Sequence, residues 1–528
     1  MRLFPMNLGQ ARARLVCGGA ALAAGTLIAG CGSTYRPVVT PVTPSGPQAQ
    51  PSSYAVVVSA PSTSTPGIAT IIDYSGDAVL AQAPIGNGPE TFTVDQGGAN
   101  GYTINSDGTL SNFPVSSSLQ AKQVQYSTLP STADPVNLFS SALGLYAADL
   151  SGSLVDVFNG FPASFKLSIP VAPVPVLIVG PGSVGQRDFA VSQNLAAPPP
   201  GVDAGVECNN TPTAEPLGAA DGIELSSYTF SSNIPVGKCP VYALESPDNK
   251  RLLVMNRGDD TISVINSQDN APDTCTPFQN QNGQWVTCHP VLPLSTAALK
   301  ATGVTPPNCT IASCGMPAIA GPVYAEYNPA TSQMVVADYD GGTISVIDMS
   351  EDEYGNDYNT YANPTCTVNG VNSYQNCGAI TGGFGTTYTI AVGNNPASVT
   401  VLNDGSRAYT ANQADQTVSV VTLSSHSVEK TLPVTGHPRT VVSTQNSQFG
   451  KVYVASPDSP YLTILRTDLD IVDTAVLVEG NIVDVRVSSQ SGSSGNSNTV
   501  SRRPGYGQPC YLPGAVNSAT LAACRTLP

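Results

Sequence analysis

Gly393-Asn394-Asn395-Pro396-Ala397-Ser398-Val399-Thr400-Val401-Leu402-Asn403-Asp404-Gly405-Ser406-Arg407-Ala408-Tyr409-Thr410-Ala411-Asn412-Gln413-Ala414-Asp415-Gln416-Thr417-Val418-Ser419-Val420-Val421 decides how the chain folds. Three short runs rich in Val, Thr and Ala are separated by an Asn-Asp-Gly turn and by a polar turn after Asn412. Runs of this length and composition, bounded by Gly, Asn, Asp and Pro, read as β-strands joined by tight turns. A Gly and a Pro open the unit, and an Asn closes its second strand.

The same grammar recurs along the chain. Leu252-Leu253-Val254-Met255-Asn256 precedes Thr261-Ile262-Ser263-Val264-Ile265, and Val335-Val336-Ala337-Asp338 precedes Thr343-Ile344-Ser345-Val346-Ile347. Weaker copies lie at Tyr102 to Asn105, Leu145 to Asp149, Phe189 to Asn194 and Val452 to Ser456, and Tyr54 to Ser59 makes eight. Asn105, Asp149 and Asn194 are 44 and 45 residues apart, as are Asn412 and Ser456 at 44. A fixed period of this size is the mark of a propeller or a solenoid. The three longer intervals, Asn194 to Asn256, Asn256 to Asp338 and Asp338 to Asn412, mark insertions near 195–222, 269–316 and 351–380. The repeated Asn or Asp reads as a turn residue bonded to its own backbone, because it recurs in nearly every copy.

Ala408-Tyr409-Thr410-Ala411-Asn412 is similar to the Tyr-Val-Thr-Asn signature of the YVTN β-propeller repeat family, and the flanking turns resemble that family too. The resemblance covers most of residues 54–489. It implies an all-β propeller of seven to eight four-stranded blades, eight by repeat count. Packing blades in a ring leaves only short, protected strand edges. The chain enters the repeats at Tyr54 in the second strand of a blade, whose first strand is Asn481-Ile482-Val483-Asp484-Val485-Arg486-Val487. Pairing of these N- and C-terminal strands would close the ring.

Residues 1–30 carry Arg2, Arg12 and Arg14, no acidic residue, and an apolar run from Leu15 to Ile28 that is too short for a permanent membrane span. Leu27-Ile28-Ala29-Gly30-Cys31 resembles the bacterial lipobox, in which the Cys thiol receives a lipid; ordinary cleavage leaving Cys31 free or paired is the alternative. Residues 31–53, mostly Pro, Ser, Thr, Gly and Gln, read as a tether. The expected location is the cell envelope, at the outer membrane or the periplasmic face, with Cys31 as the membrane contact. Residues 490–528 read as a flexible tail ending in a small disulfide loop.

Export changes how the cysteines read. Ten follow Cys31, an even number, in a compartment where disulfides form. Neighbour pairing is the simplest reading: Cys208 with Cys239, Cys275 with Cys288, Cys309 with Cys314, Cys366 with Cys377, and Cys510 with Cys524. Spacing does not prove connectivity. Zinc is the rival, but there is no C-x-x-C and there are only three histidines.

Charged residues make up 11% of the chain, well below the usual quarter or so, and the net charge is −16. An acidic chain does not suit nucleic acid as a partner. His426 lies in a polar turn and reads as solvated; His289 lies beside Cys288 in an insertion. His437, in Gly436-His437-Pro438-Arg439 at the entry to an innermost strand, forms with Arg439 the one candidate channel site. There is no Gly-x-Ser-x-Gly elbow, C-x-x-C-H or P-loop. The acidic runs Glu351 to Asp357 and Asp338-Tyr339-Asp340 do not fit an EF-hand and read as solvated loops. Arg257-Gly258-Asp259 looks like an integrin-binding tripeptide and reads as coincidence. No catalytic residue, cofactor or metal is assigned. The leading expectation is a monomeric binding or scaffold module for a protein or glycan. A lactonase-like hydrolase is the alternative, and an envelope redox-associated propeller the second alternative.

Overall fold

The computed structural model describes residues 53–488 except 142, 181–186, 196–215, 247–248, 274–277, 280–284, 287–289, 307, 310–311, 329, 350–366, 369–370, 373–384 and 445. Eight antiparallel sheets follow one another along it. Blade one comprises Pro89–Val94, Asn100–Asn105, Thr109–Pro114 and Gln125–Thr128, and blade two Pro135–Ser141, Gly144–Asp149, Leu154–Asn159 and Ser164–Pro170. Blade three is Pro175–Val179, Arg187–Ser192, Leu217–Glu224 and Thr229–Lys238. Blade four is Pro240–Glu245, Arg251–Asn256 and Thr261–Asn266, with its outer strand in two pieces, Ala271–Pro272 and Val291–Pro293. Blade five is Pro322–Asn328, Gln333–Asp338, Thr343–Asp348 and Thr387–Ala391. Blade six is Pro396–Val401, Arg407–Asn412, Thr417–Thr422 and Ser427–Pro433; blade seven is Thr440–Ser443, Lys451–Ala455, Tyr461–Arg466 and Ile471–Leu477.

Blade eight joins the two ends of the repeat region. Its innermost strand is Asn481–Val487, paired with Tyr54–Ala60 (Val57 opposite Val485), followed outward by Pro66–Asp73 and Val79–Asn87. Each innermost strand packs against the next, and Asn481–Val487 packs against both Thr440–Ser443 and Pro89–Val94, so the ring closes. The repeat count of eight and the terminal pairing therefore hold. Closure replaces two open sheet edges with paired strands.

The Gly and Pro of the repeat have separate physical causes. In blades one to six the Pro opens the innermost strand, where no ladder N–H is needed, and its partner is the residue that ends the second strand, as with Pro89 and Asn105. In five of these six blades the residue before that Pro turns the chain inward through left-handed φ: Gly88 at 56°, Val174 at 60°, Cys239 at 50°, Gly321 at 66° and Asn395 at 53°. The glycine further back makes room for a side chain. A Cβ at Gly393 would lie 2.6 Å from Asn412 Cγ, and the same holds for Gly237 against Asn256.

The repeated Asn has a larger task than its own turn. Asn412 Nδ2 donates to Thr417 Oγ1 at 3.0 Å and Ser419 Oγ at 2.9 Å, and Asn256 Nδ2 does the same with Thr261 and Ser263. Asn105 repeats the arrangement with Thr109 and Ser111. The Ser then accepts an N–H from the preceding blade, Gly86 N to Ser111 and Gly237 N to Ser263. This is a clamp between the second and third strands, extended to the neighbouring blade; Asp149, bonded to Gly152 N, keeps the turn role expected from sequence. In blade three the residue opposite Pro175 is Ser192, so Asn194 falls two residues past the equivalent position.

Blades also meet through the tyrosine of the repeat. Tyr409 Oη and the Arg407 guanidinium both reach the carboxylate of Asp470, in the outer turn of the next blade, and Lys451 likewise pairs with Asp77. A continuous apolar core links blades two to six. The insertions hold short ladders, Phe278–Gln279 with Trp285–Val286 and Thr367–Val368 with Val371–Asn372. The helix Thr296–Thr302, started by Ser295 and ended by Gly303 at φ 68°, lies between blades four and five in the chain. The insertion read as 195–222 ends earlier, because Leu217–Glu224 is a blade strand.

Candidate functional site

Innermost strands carry the side chains nearest the ring axis, and several of their polar atoms are engaged with the next blade. Asn137 Oδ1 accepts Ile178 N at 3.0 Å, and Glu326 Oε1 accepts Val401 N at 3.3 Å. Ser398 Oγ accepts Val441 N and donates to Arg439 O, and Thr400 Oγ1 accepts Ser443 N. Tyr242 and Tyr324, on successive innermost strands, pack with ring centroids 4.7 Å apart and planes tilted by 30°. Arg486 donates to Asp484 Oδ2 at 2.7 Å, and both side chains are almost wholly buried. Burial and the nearby Glu326 push the Tyr324 phenol up to about 12, so it stays protonated. Burial opposes the Arg486 charge, but Asp484 and the two phenols outweigh it and hold its pKa above the ordinary value.

His437 and Arg439 lie where a blade begins, just before the innermost strand Thr440–Ser443. His437 Nδ1 is 2.7 Å from Asp458 Oδ2, His437 N donates to Asp458 Oδ1 at 2.8 Å, and His437 Nε2 is 3.1 Å from Gln416 Nε2. The contact is a repeat feature. Asn394 donates its N and Nδ2 to the two oxygens of Asp415, Lys238 N donates to Asp259, and Asn87 N donates to Asp107. In blade seven the left-handed φ falls on Gly436, at 73°, one residue earlier than the repeat predicts. The Arg439 backbone joins the second strand through Ala455 O.

The other candidates also have partners. His426 was expected to be solvated; its ring instead stacks on Tyr388 at 3.8 Å, and burial lowers its pKa. Arg257 forms a two-pronged pair with Asp340, and Asp259 accepts Lys238 N and Thr261 Oγ1, so the Arg-Gly-Asp stretch serves the blade. Asp338 accepts the hydroxyls of Thr343 and Ser345. Cys309 and Cys314 form the expected disulfide, and Cys239 is disulfide-bonded. Cys31, Cys208, Cys275, Cys288, Cys366, Cys377, Cys510, Cys524, His289 and the run Glu351 to Asp357 lie outside the described residues. Among the described residues no three His, Cys, Asp or Glu side chains come together to hold a metal, and no helix is long and apolar enough to cross a membrane.

Sequence reasoning missed the buried carboxylates Asp188 and Glu245, which lie on adjoining strands of blades three and four. The sequence alignment, registered on Asn194 in blade three, hid the signal; once that blade is registered on Ser192, both positions are uncharged in every other blade.

The fold and these contacts define the class: the chain is an eight-bladed β-propeller. No protein-family model and no curated protein matches it. Among solved structures it is similar to AztD from Citrobacter koseri, at 12% identity and TM-score 0.50 in the apo form and 11% and 0.51 in a second crystal structure, each covering 82% of this chain and 97% of AztD. It is also similar to the dihydro-heme d1 dehydrogenase NirN in complex with DHE, at 11% identity and TM-score 0.50, covering 86% of this chain and 78% of NirN. Likeness at such identity shows the fold alone.

Proposed function

We propose that this protein is an exported propeller, anchored in the cell envelope by a lipid on Cys31, that works as a binding or scaffold module for a protein or glycan. The observation that carries the reading is the use made of the innermost polar side chains. Asn137, Glu326, Ser398 and Thr400 each bond the backbone of the next blade, which is the work of a rigid ring. His437, the best catalytic candidate, is engaged with Asp458 in a contact that Asn394 and Asp415 make in blade six. The acidic balance of the chain turns the surface away from nucleic acid. Neighbouring cysteines stapling the insertions would hold them in shape as recognition loops.

The test is palmitate labelling with membrane fractionation of wild type and Cys31→Ala, followed by binding of the purified propeller to envelope glycans and proteins. Label and membrane association that depend on Cys31, with saturable binding, support the reading. Lactone hydrolysis abolished by His437→Ala in a folded protein would replace it with the hydrolase.

A further inference from the structure

Asp188 and Glu245 depart from the repeat at the same level of the ring. Counting back from the residue that ends each second strand, the position of Asp188 is held elsewhere by Ala55, Gly101, Leu145, Leu252, Met334, Ala408 and Val452. Glu245 pairs with Leu252 of that set, and its counterparts on the other innermost strands are Val, Ser, Gly or Tyr. Each carboxylate is thus the single one at its position in the ring.

Both are buried, Asp188 completely and Glu245 to 2% exposure, and the strand Arg187–Ser192 packs directly on Pro240–Glu245. Neither carboxylate oxygen of Asp188 has a hydrogen-bond partner. The backbone is cut back to accommodate it, because a Cβ on Gly180 would lie 1.8 Å from Asp188 Oδ1. The groups that act on Asp188 are its burial and the like charge of Glu245. Its neighbour Arg187 is engaged with Glu224 and with Ser267 O. Two carboxyls brought together in the interior, one with all its lone pairs unused, are costly unless something coordinates them.

We propose that Asp188 and Glu245 bind a divalent cation of the calcium type between blades three and four. Two carboxylates match a charge of two, and a hard cation uses carboxylate lone pairs that a single shared proton would leave idle. Calcium accepts backbone carbonyl and water oxygens alongside carboxylates and tolerates irregular geometry, which suits a site with two acidic ligands. The ion would tie the innermost strand of one blade to the second strand of its neighbour.

The experiment uses the full propeller stripped with EDTA, as wild type, Asp188→Asn and Glu245→Gln. Thermal unfolding is followed with added CaCl2 or MgCl2 at matched ionic strength, and bound calcium is counted by equilibrium dialysis. Calcium should raise the wild-type Tm by on the order of 3 °C, and each variant should lose that rise together with one bound ion per chain. If Asp188→Asn does not fold, Glu245→Gln and the ion count decide. No calcium response in wild type, or an equal response and count in both variants, overturns the proposal. A Tm that ignores calcium and falls as pH rises overturns it in favour of a shared proton.

Discussion

Asp338 stands in blade five where Asn412 stands in blade six, and each reaches the two hydroxyls of the strand that follows it. An amide does this as a donor at any pH; a carboxyl is fully buried here at a cost. Burial pushes Asp338 up to about 8, with Ser345 and Thr343 pulling the other way. A pKa raised in the folded state means that the folded chain holds the proton more tightly than the unfolded chain does. The stabilisation is therefore present below about pH 4 and is lost as pH rises through about 8. Asp338→Asn should gain on the order of 5 kcal/mol over wild type at pH 8, and the difference should shrink towards pH 4. Urea unfolding at the two pH values checks both the size and the slope.

The glycine before the clamp has a steric reason that can be tested at one position. Gly393→Ala would put a methyl 2.6 Å from Asn412 Cγ, forcing the clamp apart, and should cost about 1–3 kcal/mol. Gly160→Ala meets nothing within 4 Å and serves as the comparison, with an effect within about 0.5 kcal/mol. Equal effects at the two sites would mean that backbone freedom, and not room for Asn412, sets the requirement.

The fold was legible because the repeat states its own register. Gly393, Asn412, Thr417 and Ser419 all belong to one contact, so the period and its composition report the same object. Blade three was misaligned for a physical reason: the clamp position there is Ser192, which makes no clamp of the Asn412 kind, and Asn194 two residues later carries the familiar side chain. The candidate site was less legible. Asp188 in Arg187-Asp188-Phe189 reads as a polar residue at a strand start, and only the pairing of Val179 with Phe189 places it beside Gly180 inside the ring. His437 drew notice because it is one of three histidines, whereas its contact with Asp458 is the counterpart of the one Asn394 makes with Asp415.

That equivalence makes a prediction about His437. Asn at this position can keep both bonds to Asp458, so His437→Asn should leave Tm within about 1 °C of wild type, while Asp458→Ala, which removes the acceptor of two bonds, should cost about 1–2 kcal/mol. Partner binding should survive His437→Asn. A variant that is as stable as wild type but inactive in binding or in lactone hydrolysis would assign the imidazole a chemical role.

The outer strand of blade seven, Ile471–Leu477, exposes Ile471, Val472 and Leu477 at 38, 38 and 60% and ends its sheet as an edge. Apolar edges of this kind template pairing between chains unless a charge, a proline or a bulge interrupts them. The corresponding strands of blades two and six contain Lys166 and Lys430 and end at Pro170 and Pro433. In blade seven the interruption is Asp473. Ile464 pairs with Thr474 and Leu465 with Val472, so Asp473 is the extra residue of a bulge and the one charge in the strand. Asp473→Val removes the charge and leaves a run of β-formers on an open edge. The variant should keep the wild-type Tm within about 1 °C, because the site is exposed, yet self-associate with rising concentration in light scattering. If it stays monomeric at about 100 µM, the twist imposed by the bulge, rather than the carboxylate, is what protects the edge.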